Sequence, residues 1–327
     1  MLYGFPLGRS KGNQENAPVV DLRRRKNRIM STTHIHMSRT PSGTTYSHVS
    51  APTQFVEAGG VRYAYRRFGT ELGTPLVFLP HFRAGMDHWD PLVTDGLGTN
   101  RPVILFDNAG VASSSGETPD TFEAQAEHVA IFVRGLGLQR VDVLGFSIGG
   151  YVAQAFTLRF PDLVRRLVLV GTAPRGGEQE GTHPDVPRVA RNLVPTREDF
   201  LFLFFEPSET SQAAGKAFWE RRHQRTTDVD PPSSEQTMKA QTLAIQSWRQ
   251  RQGEPYVELQ RIKQPTLVVN GRHDIMVPTI NSYILSQHIP TAELILYPDS
   301  GHGSLFQYPQ LFVSDVARFL DADVAFS

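Results

Sequence analysis

The sequence predicts an α/β fold in which a mostly parallel sheet carries helices on both faces and a helical cap insertion. From residue 53 onward, short apolar runs alternate with amphipathic stretches, which is typical of strands and crossover helices in a doubly wound sheet. The alternation stops between residues 172 and 263, where only helix-like stretches occur. A Gly-Phe-Ser-Ile-Gly segment at residues 145–149 joins a predicted strand to a predicted helix. These three observations determine the predicted class.

The predicted strands are short runs of Val, Leu, Ile and Phe. The first two, at residues 54–58 and 61–68, flank a Gly-Gly pair that is typical of an antiparallel hairpin. The remaining six have no polar face, as expected of strands that helices cover on both sides. They lie at residues 75–79, 102–107, 141–145, 167–171, 266–270 and 294–297.

Amphipathic stretches between and after the strands predict the helices. They lie at residues 121–136, 148–159 and 306–319, and, in the interval without strands, at residues 196–205, 213–223 and 234–249. We predict that residues 172–263 form a helical cap over the carboxyl ends of the strands, where open α/β sheets bind ligands. The core would then comprise residues 52–171 and 264–327.

The composition is that of a soluble globular protein and excludes several classes of function. Hydrophobic residues make up 39% of the 327 residues, and 33 Lys+Arg balance 33 Asp+Glu. The overall charge therefore favours neither nucleic acid nor an anionic membrane as partner. Cys is absent, which excludes disulfides, thiolate nucleophiles and Cys-ligated metal centres. No apolar run approaches the roughly 18 residues that span a bilayer.

The N-terminal segment differs from the rest of the chain in charge. The first 48 residues contain eight Lys or Arg and two acids, and they show neither helical nor strand periodicity. Such a segment cannot bury enough apolar surface to order itself. We therefore predict a flexible basic extension over residues 1–51. The basic run at residues 23–26 could be a nuclear import patch or a phosphate-binding arm, and a solvated extension is the simpler interpretation.

Ser147 is the first candidate for chemistry. It lies in the Gly-Phe-Ser-Ile-Gly segment, directly after an apolar run and directly before a helix, which is the context of a G-x-S-x-G nucleophile elbow. The glycines allow a tight turn and a close approach of backbones. The serine hydroxyl would lie at the N-terminus of the helix, where N–H groups and the helix dipole favour a developing negative charge.

A serine nucleophile needs a base, and the base needs an acid that orients it. Asp274 follows the strand predicted at residues 266–270, and His302 follows the next strand, between two glycines. The order serine, acid, histidine is the one that this type of elbow requires. Taken singly, Ser147 could be a small turn residue, Asp274 a helix-capping acid and His302 a surface residue. Their joint occurrence, each after its own strand, favours a catalytic triad.

Acyl transfer also needs N–H donors for the oxyanion of the tetrahedral intermediate. We predict that one donor is the backbone N–H of Ile148, the residue after the nucleophile. The second would come from the loop that follows the strand at residues 75–79. Our candidate there is the backbone N–H of Phe82, whose side chain would form part of the pocket wall.

These segments resemble those of α/β-hydrolases, in the group that includes cofactor-independent haloperoxidases, lactonases and carboxylesterases. The resemblance covers roughly residues 53–320. It rests on residues 145–150, on the Phe-Asp-Asn-Ala-Gly segment at residues 106–110, and on the loops around Asp274 and His302. It implies a serine nucleophile, an eight-stranded sheet and a helical cap over the site.

One segment departs from the pattern of the family. The usual His-Gly before the oxyanion residue is here Pro80-His81, if Phe82 provides the second donor. A register shifted by one residue would align His81 with the usual His and would make Arg83 the donor. Both registers stay open at the level of the sequence.

We predict a serine hydrolase that cleaves a carboxylic ester or lactone through an acyl-enzyme intermediate. A serine at the elbow argues against the dehalogenases and epoxide hydrolases of the same group, whose chemistry requires an Asp there. Two alternatives stay open. One is hydrolysis of a carbon–carbon bond, or perhydrolysis, with the same triad. The other is a ligand-binding protein on a hydrolase scaffold.

Aromatic residues of the predicted cap would shape an apolar substrate pocket. The candidate pocket residues are His81, Phe205, Trp219 and Trp248, although at least half of the aromatic residues in the cap should pack it onto the core. The expected partner is a small apolar ester or lactone, with no nucleic acid and no membrane. Amphipathic helices that expose an aromatic edge could also support a homodimer.

Neither a cofactor nor a metal is expected. The sequence contains no phosphate-binding loop, no dinucleotide-binding segment after a strand and no cluster with the spacing of metal ligands. We expect a cytoplasmic protein, because the N-terminal segment contains no apolar region typical of secretion signals.

Overall fold

Eight strands form one sheet in the computed structural model, which describes residues 46–192 and 194–322. The strands are β1 (Gln54–Ala58), β2 (Val61–Gly69), β3 (Leu76–Leu79), β4 (Pro102–Phe106), β5 (Val141–Phe146), β6 (Val164–Val170), β7 (Thr266–Gly271) and β8 (Ala292–Tyr297). Their order is β1-β2-β4-β3-β5-β6-β7-β8. β2 pairs antiparallel with β1 and with β4, and the other pairs are parallel. The predicted mostly parallel sheet of eight strands is confirmed.

The helices alternate with the strands along most of the chain. They are α1 (Pro91–Gly98), α2 (Phe122–Gly135), α3 (Ile148–Arg159), α4 (Val186–Val189), α5 (Arg197–Phe204), α6 (Glu209–Arg222), α7 (Glu235–Trp248), α8 (Ile280–His288), α9 (Ser304–Gln307) and α10 (Pro309–Asp321). Short 3₁₀ turns occupy Met86–His88, Pro161–Leu163 and Val257–Arg261. Side-chain oxygens of Asp90, Thr121, Thr196, Ser208 and Ser234 accept an N–H of the helix that follows. These caps satisfy donors that have no partner within the helix.

Apolar side chains on both faces of the sheet form two cores. In β6, Leu167 and Leu169 join the core that contains residues of α2 and α3. Val168 and Val170 of the same strand join the core that contains residues of α1 and α10. Successive side chains of a strand point to opposite faces, so a continuous apolar run is buried only where helices cover both faces.

Between β6 and β7 the described residues contain helices α4 to α7 and no strand. Aromatic rings join this insertion to the core. Phe204 of α5 meets the edge of Phe146 in β5 at a centroid distance of 5.9 Å, and Phe218 of α6 stacks on Phe306 of α9 at 4.1 Å. The insertion therefore packs against the segment that carries α9, close to the carboxyl end of β8.

Residues 46–51 belong to the folded part of the chain, which corrects the boundary predicted at residue 51. His48 is buried, its N–H donates to Asp95, and its Nδ1 forms a hydrogen bond with Thr94 Oγ1 at 3.0 Å. Ala51 is also buried. The segment is ordered because His48 forms hydrogen bonds with α1 and Ala51 packs in the core that contains residues of α1. These contacts cannot be read from the composition of the segment. The rest of the predicted extension, residues 1–45, lies outside the described residues.

Burial of His48 makes the stability of the protein depend on pH. Desolvation lowers the pKa of His48 to about 4, so the folded state binds fewer protons than the unfolded state between pH 6.5 and 4. The contribution of His48 to the free energy of unfolding is therefore fully present above pH 6.5. It is lost as the pH falls from 6.5 towards 4, because the unfolded state takes up a proton that the folded state does not bind. We expect His48→Phe to reduce the loss of unfolding free energy between pH 7 and 4.5 by about 2 kcal/mol, measured by urea titration.

The control for this prediction is His273→Phe, because His273 is exposed. This variant should keep the pH dependence of the wild type. Some dependence should remain in His48→Phe, since burial also lowers the pKa of His81, to about 3. If the unfolding free energies of His48→Phe and wild type depended on pH to the same extent, the prediction would be wrong.

Candidate active site

Ser147 lies in the turn between β5 and α3, with φ 58° and ψ −121°. Residues other than glycine rarely adopt this conformation, and it costs about 1–3 kcal/mol. A Cβ on Gly145 would lie 2.4 Å from Gly149 O, and a Cβ on Gly149 would lie 1.9 Å from Leu79 O. Both positions therefore require glycine. The Thr172 hydroxyl donates to Ser147 O at 2.8 Å and helps to hold the turn.

Asp274 and His302 form a buried pair. His302 Nδ1 lies 2.7 Å from Asp274 Oδ2, and both side chains are fully buried. Asp274 Oδ1 accepts the backbone N–H groups of Met276 and Val277 at 2.8 and 2.9 Å. An ionised carboxylate only accepts hydrogen bonds, so this contact assigns the proton of a neutral His302 to Nδ1 and leaves a lone pair on Nε2. Among the described residues, Nε2 is buried and has no hydrogen-bond partner.

The His302 ring lies against the elbow. Its centroid is 4.9 Å from that of Phe146, the residue before Ser147. A Cβ on Gly171, directly after β6, would lie 3.2 Å from His302 Nδ1. The hydrogen bonds of the described residues do not include one from Ser147 Oγ to His302 Nε2. The structure thus places His302, the predicted base, beside the turn that carries Ser147, the predicted nucleophile. The nitrogen that would take the proton of Ser147 has no hydrogen-bond partner among the described residues.

The two predicted oxyanion donors lie on separate segments. Ile148 is the first residue of α3, where the N–H has no acceptor within the helix. In the loop after β3, the N–H of Arg83 donates to Gln241 Oε1 at 2.8 Å, whereas the N–H of Phe82 has no acceptor among the described residues. Of the two registers left open by the sequence, the structure therefore favours the one with Phe82 as donor.

A cavity of about 440 Å³ lies beside Ser147. Its apolar wall comes mostly from the insertion. The residues of this wall include Phe200, Leu203, Phe204, Trp219 and Met276. Three of the residues predicted near the substrate line the cavity, namely His81, Phe82 and Trp219.

Two predicted pocket residues, Phe205 and Trp248, do not line this cavity. Trp248 stacks on Tyr151 at a centroid distance of 5.4 Å and meets the edge of Phe122 at 5.7 Å. Phe205 is buried and packs close to Gly215. Both rings are packed inside the protein, where an aromatic side chain buries a large apolar area. Their prediction as pocket residues is wrong.

A model of the α/β hydrolase fold family matches residues 74–309, well over half of the chain. The chain belongs to this family. A solved α/β hydrolase fold protein from Chitinophaga pinensis is 43% identical, with a TM-score of 0.79, and the match covers 85% of this chain and 100% of that one. The predicted α/β-hydrolase fold is thereby confirmed.

Curated relatives of this α/β hydrolase include enzymes that are named for different substrates. A pimeloyl-[acyl-carrier protein] methyl ester esterase from Nitrosomonas europaea is 29% identical over 74% of this chain and 94% of its own length. A 2-hydroxy-6-oxo-6-(2'-aminophenyl)hexa-2,4-dienoic acid hydrolase from Metapseudomonas resinovorans is 27% identical over 82% of this chain and 90% of its own length. The names of its relatives thus support a hydrolase.

The sequence analysis of this hydrolase assigned no role to several polar residues of the cavity. They include His88, Asp199, Arg222 and Ser233. Arg222 stands in a Glu-Arg-Arg-His run at the end of α6, which is typical of a solvated helix C-terminus. Only the packing of α6 places this cation inside the protein, so the sequence contained no signal for it.

Burial controls the charge of the histidines in the cavity. Desolvation lowers the pKa of His81 to about 3, with Arg222 and His302 acting in the same direction. Desolvation likewise holds the pKa of His88 well below its usual value. Both imidazoles are therefore neutral at neutral pH.

The described part of this hydrolase shows neither a metal cluster nor a membrane-spanning helix. Over residues 46–192 and 194–322 there is no group of three or more His, Cys, Asp or Glu placed to hold a metal ion. Within the same ranges no helix has the length and apolar character needed to cross a membrane.

Proposed function

We propose that this α/β hydrolase cleaves a carboxylic ester or lactone through an acyl-enzyme formed on Ser147. The observation that carries the proposal is the buried His302–Asp274 pair beside the elbow. That pair leaves the lone pair of His302 Nε2 without a partner. A serine in a strained elbow, a base of defined tautomer and an apolar cavity are the elements that acyl transfer requires.

In the proposed mechanism, Ser147 Oγ attacks the carbonyl carbon of the substrate while His302 Nε2 takes the hydroxyl proton. The carbonyl oxygen becomes an oxyanion, and its negative charge returns to re-form the carbonyl when the bond to the alcohol breaks. The departing alcohol takes the proton from Nε2. Water then attacks the acyl-enzyme, His302 takes a proton from it, and Ser147 recovers that proton as the acid leaves.

Asp274 would act on His302 rather than on the substrate. Its Oδ2 accepts from His302 Nδ1, and its Oδ1 is held by two backbone N–H groups. This arrangement fixes the orientation of the imidazole. The ionised carboxylate also stabilises the imidazolium that forms when Nε2 takes the proton.

The oxyanion would be stabilised by the N–H groups of Ile148 and Phe82. Each such donor is worth about 3–4 kcal/mol of transition-state stabilisation. Ile148 supplies an N–H at the positive end of α3, where the helix dipole adds to the effect. Phe82 supplies an N–H from the loop after β3 that has no acceptor among the described residues.

A carbon–carbon bond hydrolase is the second candidate. It is favoured by the relative from Metapseudomonas resinovorans, which is named as a hydrolase of an unsaturated oxo acid and covers 82% of this chain. The esterase relative matches 74% of this chain at 29% identity, compared with 27% for the relative from Metapseudomonas resinovorans. The same triad can serve both reactions, so the two candidates differ in the bond that is cleaved.

A substrate panel decides between these candidates. It comprises 4-nitrophenyl esters of increasing acyl length, γ-lactones, and a 2-hydroxy-6-oxo-hexa-2,4-dienoic acid. We expect ester turnover that is highest for short and medium acyl chains, since the cavity holds about 440 Å³, and slower turnover of the dienoic acid. A kcat/KM for the dienoic acid that exceeds every ester and lactone would favour the second candidate instead.

A further inference from the structure

Arg222 carries a positive charge in the cavity and forms no ion pair with any described residue. It lies at the end of α6 and lines the cavity beside Ser147. Its Nε is buried without a hydrogen-bond partner, and the salt bridges of the described residues do not include it. By contrast, the neighbouring Arg221 is paired with Asp90 at 2.6 Å, and Arg225 is paired with Asp228 at 3.4 Å.

The surroundings of Arg222 are mostly aromatic. Its guanidinium carbon lies 5.2 Å from the ring centroid of Phe200 and 5.0 Å from that of Trp219. Desolvation lowers the pKa of Arg222 to about 10, and Asp87 acts in the opposite direction. The side chain therefore stays charged at neutral pH. Cation–π contacts offset part of the desolvation cost, but an enclosed cation normally also has an anionic partner.

His88 adds a neutral donor to the same cavity. Its Nδ1 accepts the backbone N–H of Gly85 at 3.2 Å. The neutral imidazole must then carry its proton on Nε2. The cavity thus contains a permanent cation in Arg222 and an N–H donor in His88, both suited to an anion.

Two acidic residues could serve as an internal partner, and both are already engaged elsewhere. Asp87, whose charge acts on Arg222, forms a salt bridge with a fully buried arginine of β2. Asp199 lines the cavity, but its Oδ2 accepts from Thr196 N and from Asn192 Nδ2, each at 2.9 Å. These contacts cap the start of α5. Asp199 is therefore committed to the helix and forms no ion pair with Arg222 in the described part of the chain.

We propose that Arg222 binds a carboxylate of the substrate, so that the hydrolase acts on esters that carry a second, ionised carboxyl group. A guanidinium and a carboxylate form two parallel hydrogen bonds, and such pairs are strong where water is excluded. This inference rests on the proposed function and names its class of substrate. His88 would assist by donating from Nε2.

The test compares anionic substrates with neutral ones of similar length. On the acyl side the pair is mono-(4-nitrophenyl) glutarate and 4-nitrophenyl pentanoate. On the alcohol side it is 4-acetoxybutanoate and butyl acetate. We expect wild type to prefer the anionic member of at least one pair by about tenfold or more in kcat/KM. We expect Arg222→Gln to lower that preference by about 10- to 100-fold, the range for a charged hydrogen bond.

Two further variants make the test specific. Arg222→Lys should recover part of the preference, since it restores the charge without the planar fork. Arg140→Gln removes the same charge from an exposed position and should keep the preference of wild type. Arg222→Met should have a melting temperature equal to or above that of wild type, because an unpaired buried charge is removed. If Arg222 only stabilised the fold, Arg222→Met would instead have a lower melting temperature than wild type.

A binding measurement separates failure of this inference from failure of the proposed function. Monomethyl glutarate is titrated into Ser147→Ala and into Ser147→Ala/Arg222→Gln, with heat as the readout. Binding that needs Arg222 supports the carboxylate site even if no ester is turned over, in which case only the proposed reaction fails. Serine-dependent turnover with no anionic preference, and no difference in binding between the two proteins, would overturn the inference alone.

Discussion

Replacing Ser147 with Ala is expected to lower kcat for ester hydrolysis by about 10⁴- to 10⁶-fold. Without the hydroxyl there is no acyl-enzyme, and His302 has no nucleophile to activate. The N–H groups of Ile148 and Phe82 would remain and would support only a small residual rate. The measurement is turnover of the 4-nitrophenyl ester that wild type hydrolyses fastest, together with labelling by a fluorophosphonate.

Ser286→Ala is the matched control for this prediction. Its hydroxyl lies on α8 and donates to Tyr283 O at 2.7 Å, outside the cavity. It should keep wild-type turnover and should still be labelled. If Ser147→Ala hydrolysed the ester as fast as wild type, or was labelled to the same extent, Ser147 would not be the nucleophile.

Asp274→Asn is expected to lower kcat by about 10⁴-fold. The retained oxygen of the amide would face the N–H groups of Met276 and Val277, because an NH₂ there would oppose two donors. The NH₂ would then face His302 Nδ1 and donate to it. The imidazole would carry its proton on Nε2 and could not take the proton of Ser147.

The variant should fold, since both backbone hydrogen bonds to Oδ1 are kept. Melting temperature and fluorophosphonate labelling rate are the two readouts, and only the second should fall strongly. Asp315→Asn is a suitable control, because Asp315 Oδ2 accepts from the Tyr297 hydroxyl at 2.7 Å, away from the cavity. Near-normal activity of Asp274→Asn would show that His302 does not depend on this carboxylate.

The strands and several helices were predictable because their patterns are local. β1 and α3 have the predicted bounds, residues 54–58 and 148–159. Most other boundaries differ by one to three residues, since helix and strand ends depend on contacts as well as on propensity.

Several helices departed from the prediction, and α4 and α8 were not among the predicted helices. The helix predicted at residues 306–319 is divided into α9 and α10, because Pro309 starts a new helix rather than continuing one. The helix α1 was also not predicted. It contains Gly96 and Gly98, which are poor helix formers, and it packs against α10.

The candidate site was also predictable only in part. Ser147, Asp274 and His302 could be selected from sequence, because each follows its own strand and parallel strands end at one edge of the sheet. The structure joins His302 to Asp274 and places their pair beside the elbow. The walls of the cavity were not selected reliably. Trp248 was expected there and packs between helices instead.

The sequence by itself determined the class of fold, the turn that holds Ser147 and the order of the three candidate residues. These depend on short-range constraints, such as strand periodicity and the glycines that the elbow requires. Tertiary structure alone decided which donor in the loop after β3 is open, which aromatic rings face the cavity and that Arg222 lies inside it. Those outcomes depend on contacts between segments far apart in the chain, where the direction in which a helix packs determines whether a side chain meets water, core or substrate.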